Sequence, residues 1–243
     1  MFFVKGLVLA SYKYRDYDLM CKVLTEKGVL SCKIVGALRK NNKNNYLANK
    51  FTIANLELYR GGHGGYKIKT GETLKTYINI FTDYKALYCL NFMTEISLRA
   101  VILEDFDILF QAIERYLDLL EEGFSHIIIA LCYLVLVFES TGYKDFFETC
   151  YSCGEKRPIV GYSKVIESFV CEHCFMPNQK KFDETELKIY NFFKNKEFLH
   201  PEKLDITEAE AKKAFEFFYN VYTNIYITRL QSVWLLLEKS LQL

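Results

Sequence analysis

Two Cys-x-x-Cys knuckles constrain this chain more than any other feature. Cys150-Tyr-Ser-Cys153 is followed, seventeen residues later, by Cys171-Glu-His-Cys174. Each knuckle offers two thiolates from a tight turn, and the segment between is long enough to fold back as a small hairpin. Four such ligands suit one tetrahedral zinc ion. A redox motif would need only one knuckle, and ordinary core cysteines do not gather at the two ends of a short polar loop. His173 sits between the last two cysteines, but a four-cysteine set needs no further ligand. With no fifth group pointing to an open coordination position, the zinc reads as structural and not catalytic.

The other four cysteines, Cys21, Cys32, Cys89 and Cys132, lie in apolar periodic runs and read as buried thiols. This usage, with no signal peptide, fits a reducing cytosol. The apolar run from Ile127 to Phe138 is twelve residues long. A membrane span needs about twenty, so it reads as a core helix and no membrane contact is expected.

Charge is unevenly placed. Residues 1–80 carry 14 basic and 5 acidic side chains, residues 81–149 carry 4 and 12, and residues 150–243 carry 13 of each. The basic part suits a polyanion. Against that, the two segments would also neutralise each other across a contact.

Residues 1–80 read as β. Expected strands are Phe3–Ser11, Asp18–Thr25, Val29–Val35, Phe51–Arg60 and Tyr66–Ile80, with Gly6 a bulge or close-approach point. The Gly61-Gly-His-Gly-Gly65 stretch splits the last two. Five short strands in this length fit a small closed barrel, and the OB-fold is the nucleic-acid-binding solution of that size. From Tyr84 the period becomes helical. Expected helices run to about Leu103, Phe106–Leu120, Ile127–Ser140 with Ser125 as N-cap, Asp183–Lys194, Ala209 to about Ile225 behind a Thr207/Glu210 capping box, and Thr228–Leu241. The fold class is therefore α+β: an OB-fold barrel at 1–80, then a helical domain at 81–243 with a zinc insert at 150–174.

No catalytic constellation is present. The four histidines are scattered, and no phosphate loop, nucleophile elbow or metal-protease helix occurs. Acidic pairs such as Asp105/Asp107 and Glu121/Glu122 read as solvated helix faces. Binding has more support, since single strands ask for cations along the backbone and aromatic faces for bases. Tyr12-Lys13-Tyr14-Arg15-Asp-Tyr17 supplies both at the first strand connection. Arg39, Lys40 and Lys43 add cations after the third strand, and Lys67, Lys69 and Lys75 alternate on the later strands. A protein-interaction scaffold with incidental DNA contact is the alternative.

At this point the sequence resembles RecO, the bacterial recombination and repair mediator. Lys5-Gly-Leu-Val-Leu9 looks like the family's opening strand. Tyr14, Asp16 and Asp18 fall where the family has Tyr-x-Glu-x-Asp. Thr25-Glu-Lys-Gly28 and Gly36-Ala-Leu-Arg39 resemble its Thr-Glu…Gly and Gly-Ala-Arg-Arg segments, with Leu38 in place of the first arginine. Glu95 sits in the matching Glu-Leu-like helix, and Ser232-Val-Trp-Leu235 resembles its Ser-Arg-x-Leu. The knuckles match with Gly154 after the second cysteine, although Ser168-Phe-Val170 stands where paired glycines are usual. The resemblance implies binding of single- and double-stranded DNA, strand annealing and help in loading RecA in a bacterial cytoplasm. It also implies two protein partners, RecR and the acidic C-terminal tail of single-stranded DNA-binding protein. Such a Phe-ended tail needs an apolar groove with a basic rim, for which Arg115, Lys188, Lys212 and Arg229 are candidates.

Overall fold

In the computed structural model of the chain, residues 1–61, 65–99, 106–143, 146–166 and 168–238 are described. Five strands come first: β1 (Phe2–Tyr14), β2 (Asp18–Thr25), β3 (Gly28–Ile34), β4 (Ile53–Arg60) and β5 (Tyr66–Lys75). They close in the order β1-β2-β3-β5-β4, with β4 returning to β1. The β3–β5 pairing is parallel and the others are antiparallel. This is the OB-fold arrangement. β1 does double duty. Residues 2–7 pair with β4, residues 7–14 pair with β2, and a register shift between Val8 and Ala10 lets the strand turn the corner. A Cβ on Gly6 would meet a Val23 methyl at 2.4 Å, so glycine there is the close-approach point the sequence suggested.

The barrel core is the inner row of each strand: Val8, Cys21, Val23, Cys32, Ile34, Leu56, Leu58 and Ile68. Cys21 and Cys32 face each other in register as free thiols, and burial pushes them up to about 11 and about 12. Two strand boundaries differ from the sequence reading. β1 runs on to Tyr14, because Tyr14 pairs with Asp18 across a tight turn in which Arg15 is left-handed (φ 59). Tyr12, Lys13 and Tyr14 are thus strand residues and not a connection. β5 stops at Lys75, and Asn79–Thr82 forms a 3-10 turn.

Helices α1 (Tyr84–Arg99), α2 (Phe106–Glu121), α3 (His126–Ser140), α4 (Glu184–Lys194), α5 (Glu208–Tyr226) and α6 (Ser232–Leu236) follow. By contacts the chain divides into two compact units, one of Met1–Tyr84 with Asp105–Phe124, the other of Lys85–Glu104 with Ser125–Leu243. α2 therefore belongs with the barrel. Its Glu114 meets Lys5 at 2.6 Å, and its Asp118 takes Lys75 at 2.9 Å and the Tyr77 hydroxyl at 3.1 Å. The Glu121 carboxylate accepts from the backbone N–H groups of Ile78, Asn79 and Ile80 at 3.0–3.1 Å. Glu121 is accordingly an anchor for the 3-10 turn and not a solvated acid. Asp105 lies outside the described residues.

In the second unit α3 is buried on every side, as its unbroken apolar sequence requires, and it packs on α5. Among the described residues no helix is long and apolar enough to cross a membrane. Ser125 stands at the N-cap of α3, but its hydroxyl donates to Glu208 and not to the helix. Both α4 and α5 open with capping boxes, Asp183/Glu186 and Thr207/Glu210. The last helix is shorter than the periodicity suggests. Ile227 turns left-handed (φ 50) to end α5, and α6 begins only at Ser232; the continuation to Leu241 and the end of α1 near Leu103 lie outside the described residues. The insert follows α3 as β6 (Ile159–Ser163), β7 (Ser168–Cys171) and the edge pair β8 (Lys180–Lys181), in the order β7-β6-β8.

Near the end of α3, Glu139 is 6% exposed and its Oε1 has no hydrogen-bond partner among the described residues. Burial raises its pKa to about 7, with Lys196 opposing and Glu148 reinforcing the shift. The folded chain thus keeps this proton over a window in which the unfolded chain, at the ordinary 4.5, has lost it. Stability from this group is full below pH 4.5 and is lost as pH rises through about 7. In urea unfolding, Glu139→Gln is expected to remove that slope. Relative to its effect at pH 5 it should stabilise the protein at pH 8 by on the order of 1–3 kcal/mol. Parallel curves for the two proteins across this range would refute the assignment.

Candidate nucleic-acid interface and metal centre

Strand alternation sends every second side chain of the barrel outward. Register then fixes which outward residues are neighbours. Tyr12 on β1 pairs with Met20 on β2, Met20 with Lys33 on β3, Lys33 with Lys67 on β5, and Lys67 with Tyr59 on β4. One outward row therefore crosses all five strands, with Lys33 and Lys67 side by side at its centre and Tyr12, Met20 and Tyr59 flanking them. Cations rest on rings along it. Lys33 Nζ and Arg15 Cζ lie 5.2 and 5.4 Å from the Tyr14 centroid, Arg39 Cζ lies 5.2 Å from Tyr17, and Lys67 Nζ lies 5.8 Å from Tyr59.

Asp18 holds this arrangement in place. Its carboxylate takes Lys33 at 2.6 Å and the Gly36 N–H at 2.7 Å. Leu38 N–H donates to the Tyr17 carbonyl at 2.9 Å, so the loop after β3 is tied to the β1–β2 turn and brings Arg39 to Tyr17. The hydrogen bond from Lys33, followed by that from Gly36, holds the Asp18 carboxyl below its ordinary range. Asp18 and Gly36, which stand in two separate motifs of the sequence, are one contact in space. Glu95 and Ser232 behave likewise. Glu95 accepts from Ser232 N–H at 2.8 Å, Ser232 Oγ at 2.6 Å and Gln231 N–H at 3.1 Å, and so caps α6.

The residues singled out from sequence divide accordingly. Tyr14, Arg15, Arg39 and Lys67 come together along the row. Lys40 and Lys43 are exposed on the loop after β3 and make no ion pair among the described residues. Lys13 pairs with Leu19 and so alternates to the other side of the strand. Lys69 follows a register shift and is bound to Glu57 at 3.0 Å. Lys75 is engaged by α2 and is not part of a shared lysine face. Lys33 and Tyr59 were missed, because neither lies in a basic or aromatic cluster of the sequence. Only the barrel's closure makes them neighbours of Lys67. Gly62-His63-Gly64 lies outside the described residues.

The four candidates for a peptide rim stand in different settings. Arg115 is on α2, in the barrel unit. Lys188 binds Asp205 at 2.9 Å and Lys212 donates to the Leu237 carbonyl at 2.9 Å, so both ammonium groups are in use. Arg229 is exposed, and its carbonyl accepts from Arg99.

The sulfurs of Cys150, Cys153, Cys171 and Cys174 all lie within 4.8 Å of one another, with Cys153 and Cys171 3.9 Å apart. A tetrahedron of metal–sulfur bonds of about 2.3 Å has an edge of about 3.8 Å, so the cluster can hold a metal ion. Burial raises the Cys150 thiol, but the N–H groups of Cys171, Cys153 and Ser152 outweigh it and bring it down to about 6. Cys174 is pushed up to about 12 by burial and by the three neighbouring thiols. That mutual opposition is what a bound cation relieves. His173 is exposed and outside the cluster. The insert is packed through rings: Phe147 lies 5.4 Å from Phe169, 5.8 Å from Phe193 and 5.8 Å from Phe218, and accepts at its carbonyl from Tyr190 Oη at 2.6 Å.

An OB-fold barrel joined to a helical unit with a four-thiolate site defines a class of proteins. Within it, residues 1–77 match the family model described as Recombination protein O N terminal, and residues 82–229 match Recombination protein O C terminal. The chain belongs to the RecO family of DNA repair and recombination proteins. Among curated relatives, the DNA repair protein RecO of Mesoplasma florum is 25% identical over 241 residues, covering 91% of this chain and 85% of that one. That of Lactobacillus helveticus is 22% identical over 180 residues (71% and 70%), and that of Mycoplasma mycoides subsp. mycoides is 21% identical over 240 residues (96% of each).

Replacing Cys150 or Cys174 by Ser in the full chain should abolish metal retention, measured as metal per chain after dialysis. It should also lower thermal stability by several kcal/mol, since a structural site contributes its binding energy to folding. Unchanged stability with the metal gone would show that the aromatic packing alone holds the insert.

Proposed function

We propose that the protein is a non-enzymatic recombination mediator. It binds single- and double-stranded DNA, anneals complementary strands and helps to load RecA during DNA repair. The observation that carries this reading is the outward row of cations and rings around the barrel. Lysine and arginine side chains neutralise phosphates, and Tyr12, Tyr14, Tyr17 and Tyr59 offer faces to unpaired bases. Neutralisation lets two strands that repel each other approach while their pairing edges stay free. No step makes or breaks a covalent bond.

Zinc is the ion we assign to the four thiolates, because tetrahedral sulfur coordination suits it. Its part is to hold the insert in shape; the barrel's DNA contacts are protein groups alone. RecR and the acidic tail of single-stranded DNA-binding protein are the partners that the family reading brings, with action in the cytoplasm at the nucleoid. The tail's groove is left unassigned, since two of the cations named for its rim, Lys188 and Lys212, are already engaged.

The test is a titration of single-stranded DNA at several salt concentrations. Affinity should fall steeply with salt. The double variant Arg39→Ala/Lys67→Ala should bind more weakly, with the slope of log K against log salt reduced by about two. Neither side chain has a carboxylate partner among the described residues, so the fold should be kept. An affinity that hardly changes between low and physiological salt would sink the electrostatic account.

A further inference from the structure

The insert carries a feature that metal binding does not use. Ser163 ends β6 opposite Ser168. Its side chain is 1% exposed, and its hydroxyl has no hydrogen-bond partner among the described residues. A buried hydroxyl that bonds to nothing is costly and asks for an account. Ser163 lines an open hollow of about 750 Å3 beside the second knuckle. Among the described residues, Lys164 and Lys180 line it with His173 and the Cys174 thiol, and no Asp or Glu does. Lys180 is ion-paired to Glu186, whereas Lys164 is exposed and makes no ion pair among the described residues. Ile166, Phe175 and Met176 give an apolar wall. The neighbouring hollow of about 560 Å3, under α4 and α5, shares Lys164 and Lys180 and adds Lys213, but Asp183, Glu186, Glu210 and Glu216 also line it, so an anion there would face four carboxylates.

We propose that the Ser163–Lys164 hollow is a second nucleic-acid site, taking one phosphodiester of a single strand. A phosphate oxygen accepts from the Ser163 hydroxyl while the Lys164 ammonium supplies the opposite charge. The attached nucleoside lies against Phe175 and Met176. A nucleotide unit brings a tetrahedral anion and a flat apolar face together, which is the pairing the hollow offers. One free ammonium and one hydroxyl match a single monoanion. A run of carboxylates, as in an acidic peptide, would need more free cations than are present. This inference rests on the reading of the protein as DNA-binding, and it adds a contact on the unit that the barrel does not contain.

The experiment uses the full zinc-loaded chain, with metal content checked, and a fluorescent oligothymidylate titrated at several salt concentrations. Lys164→Ala and Ser163→Ala are each made alone and on the Arg39→Ala/Lys67→Ala background. Lys164→Ala alone should weaken binding several-fold and reduce the salt slope by about one. On the barrel-defective background it should remove most of the residual binding. Ser163→Ala, which removes the hydroxyl and no charge, should weaken binding with the slope unchanged. If the barrel variant binds less but Lys164→Ala and Ser163→Ala change nothing on either background, this second site is refuted and the barrel reading stands. If the barrel variant binds as well as the parent, the barrel reading fails instead. Displacement of the labelled strand from the barrel-defective chain by an acidic peptide, more effectively than by unlabelled DNA, would also overturn the proposal in favour of a protein partner.

Discussion

The β3–β5 pairing is short. Only Cys32 with Tyr66 and Lys33 with Lys67 are in register, and this is the one parallel contact in the barrel. The rest of the barrel's behaviour depends on it. Without it the sheet has two open edges and Lys33 and Lys67 are far apart in the chain. With it, the inner residues Cys32 and Ile68 enter one core, and the outer row becomes continuous from Tyr12 to Tyr59. Closure thus converts five separate short strands into one surface on which two adjacent cations are flanked by rings.

Charge is arranged to leave that surface uncovered. Lys5 and Lys75 are taken up by Glu114 and Asp118 of α2, and Lys69 by Glu57. Part of the excess of positive charge in residues 1–80 is therefore neutralised by the acidic segment that follows it. Arg15, Arg39, Lys40, Lys43 and Lys67 are not spent this way. Lys33 is shared between Asp18 and the Tyr14 ring, so it orders the turn and still presents its charge.

In the helical unit the same division holds between framework and contact. Phe147, Phe169, Tyr190, Phe193 and Phe218 pack the insert against α4 and α5, and the four sulfurs fix its two turns. The thiolates repel one another without a cation, so a metal held there would stabilise the same small hairpin as the aromatic core, by different physics. Two groups, the buried Ser163 hydroxyl and the exposed Lys164 ammonium, serve neither purpose.

Much of this was legible in the residues. The knuckle spacing announced the metal cluster, since two Cys-x-x-Cys turns have few other uses. Alternating and helical periods placed the five strands and the helices, because burial of one face sets those periods. Tyr14, Arg15, Arg39 and Lys67 were legible as cations and rings. Three things were decided only by the tertiary structure. Lys33 and Tyr59 joined the interface through strand register, which links residues distant in sequence. Glu121, read as a solvated acid, became a backbone anchor because the chain returns beneath α2. The final helix starts only at Ser232 because Glu95, from α1, caps it there. The sequence by itself determined which residues are inward, which carry charge and which can bind metal, for these follow from local chemistry. Which of them stand together was decided by folding, because contact between distant residues depends on register and closure and on no local pattern.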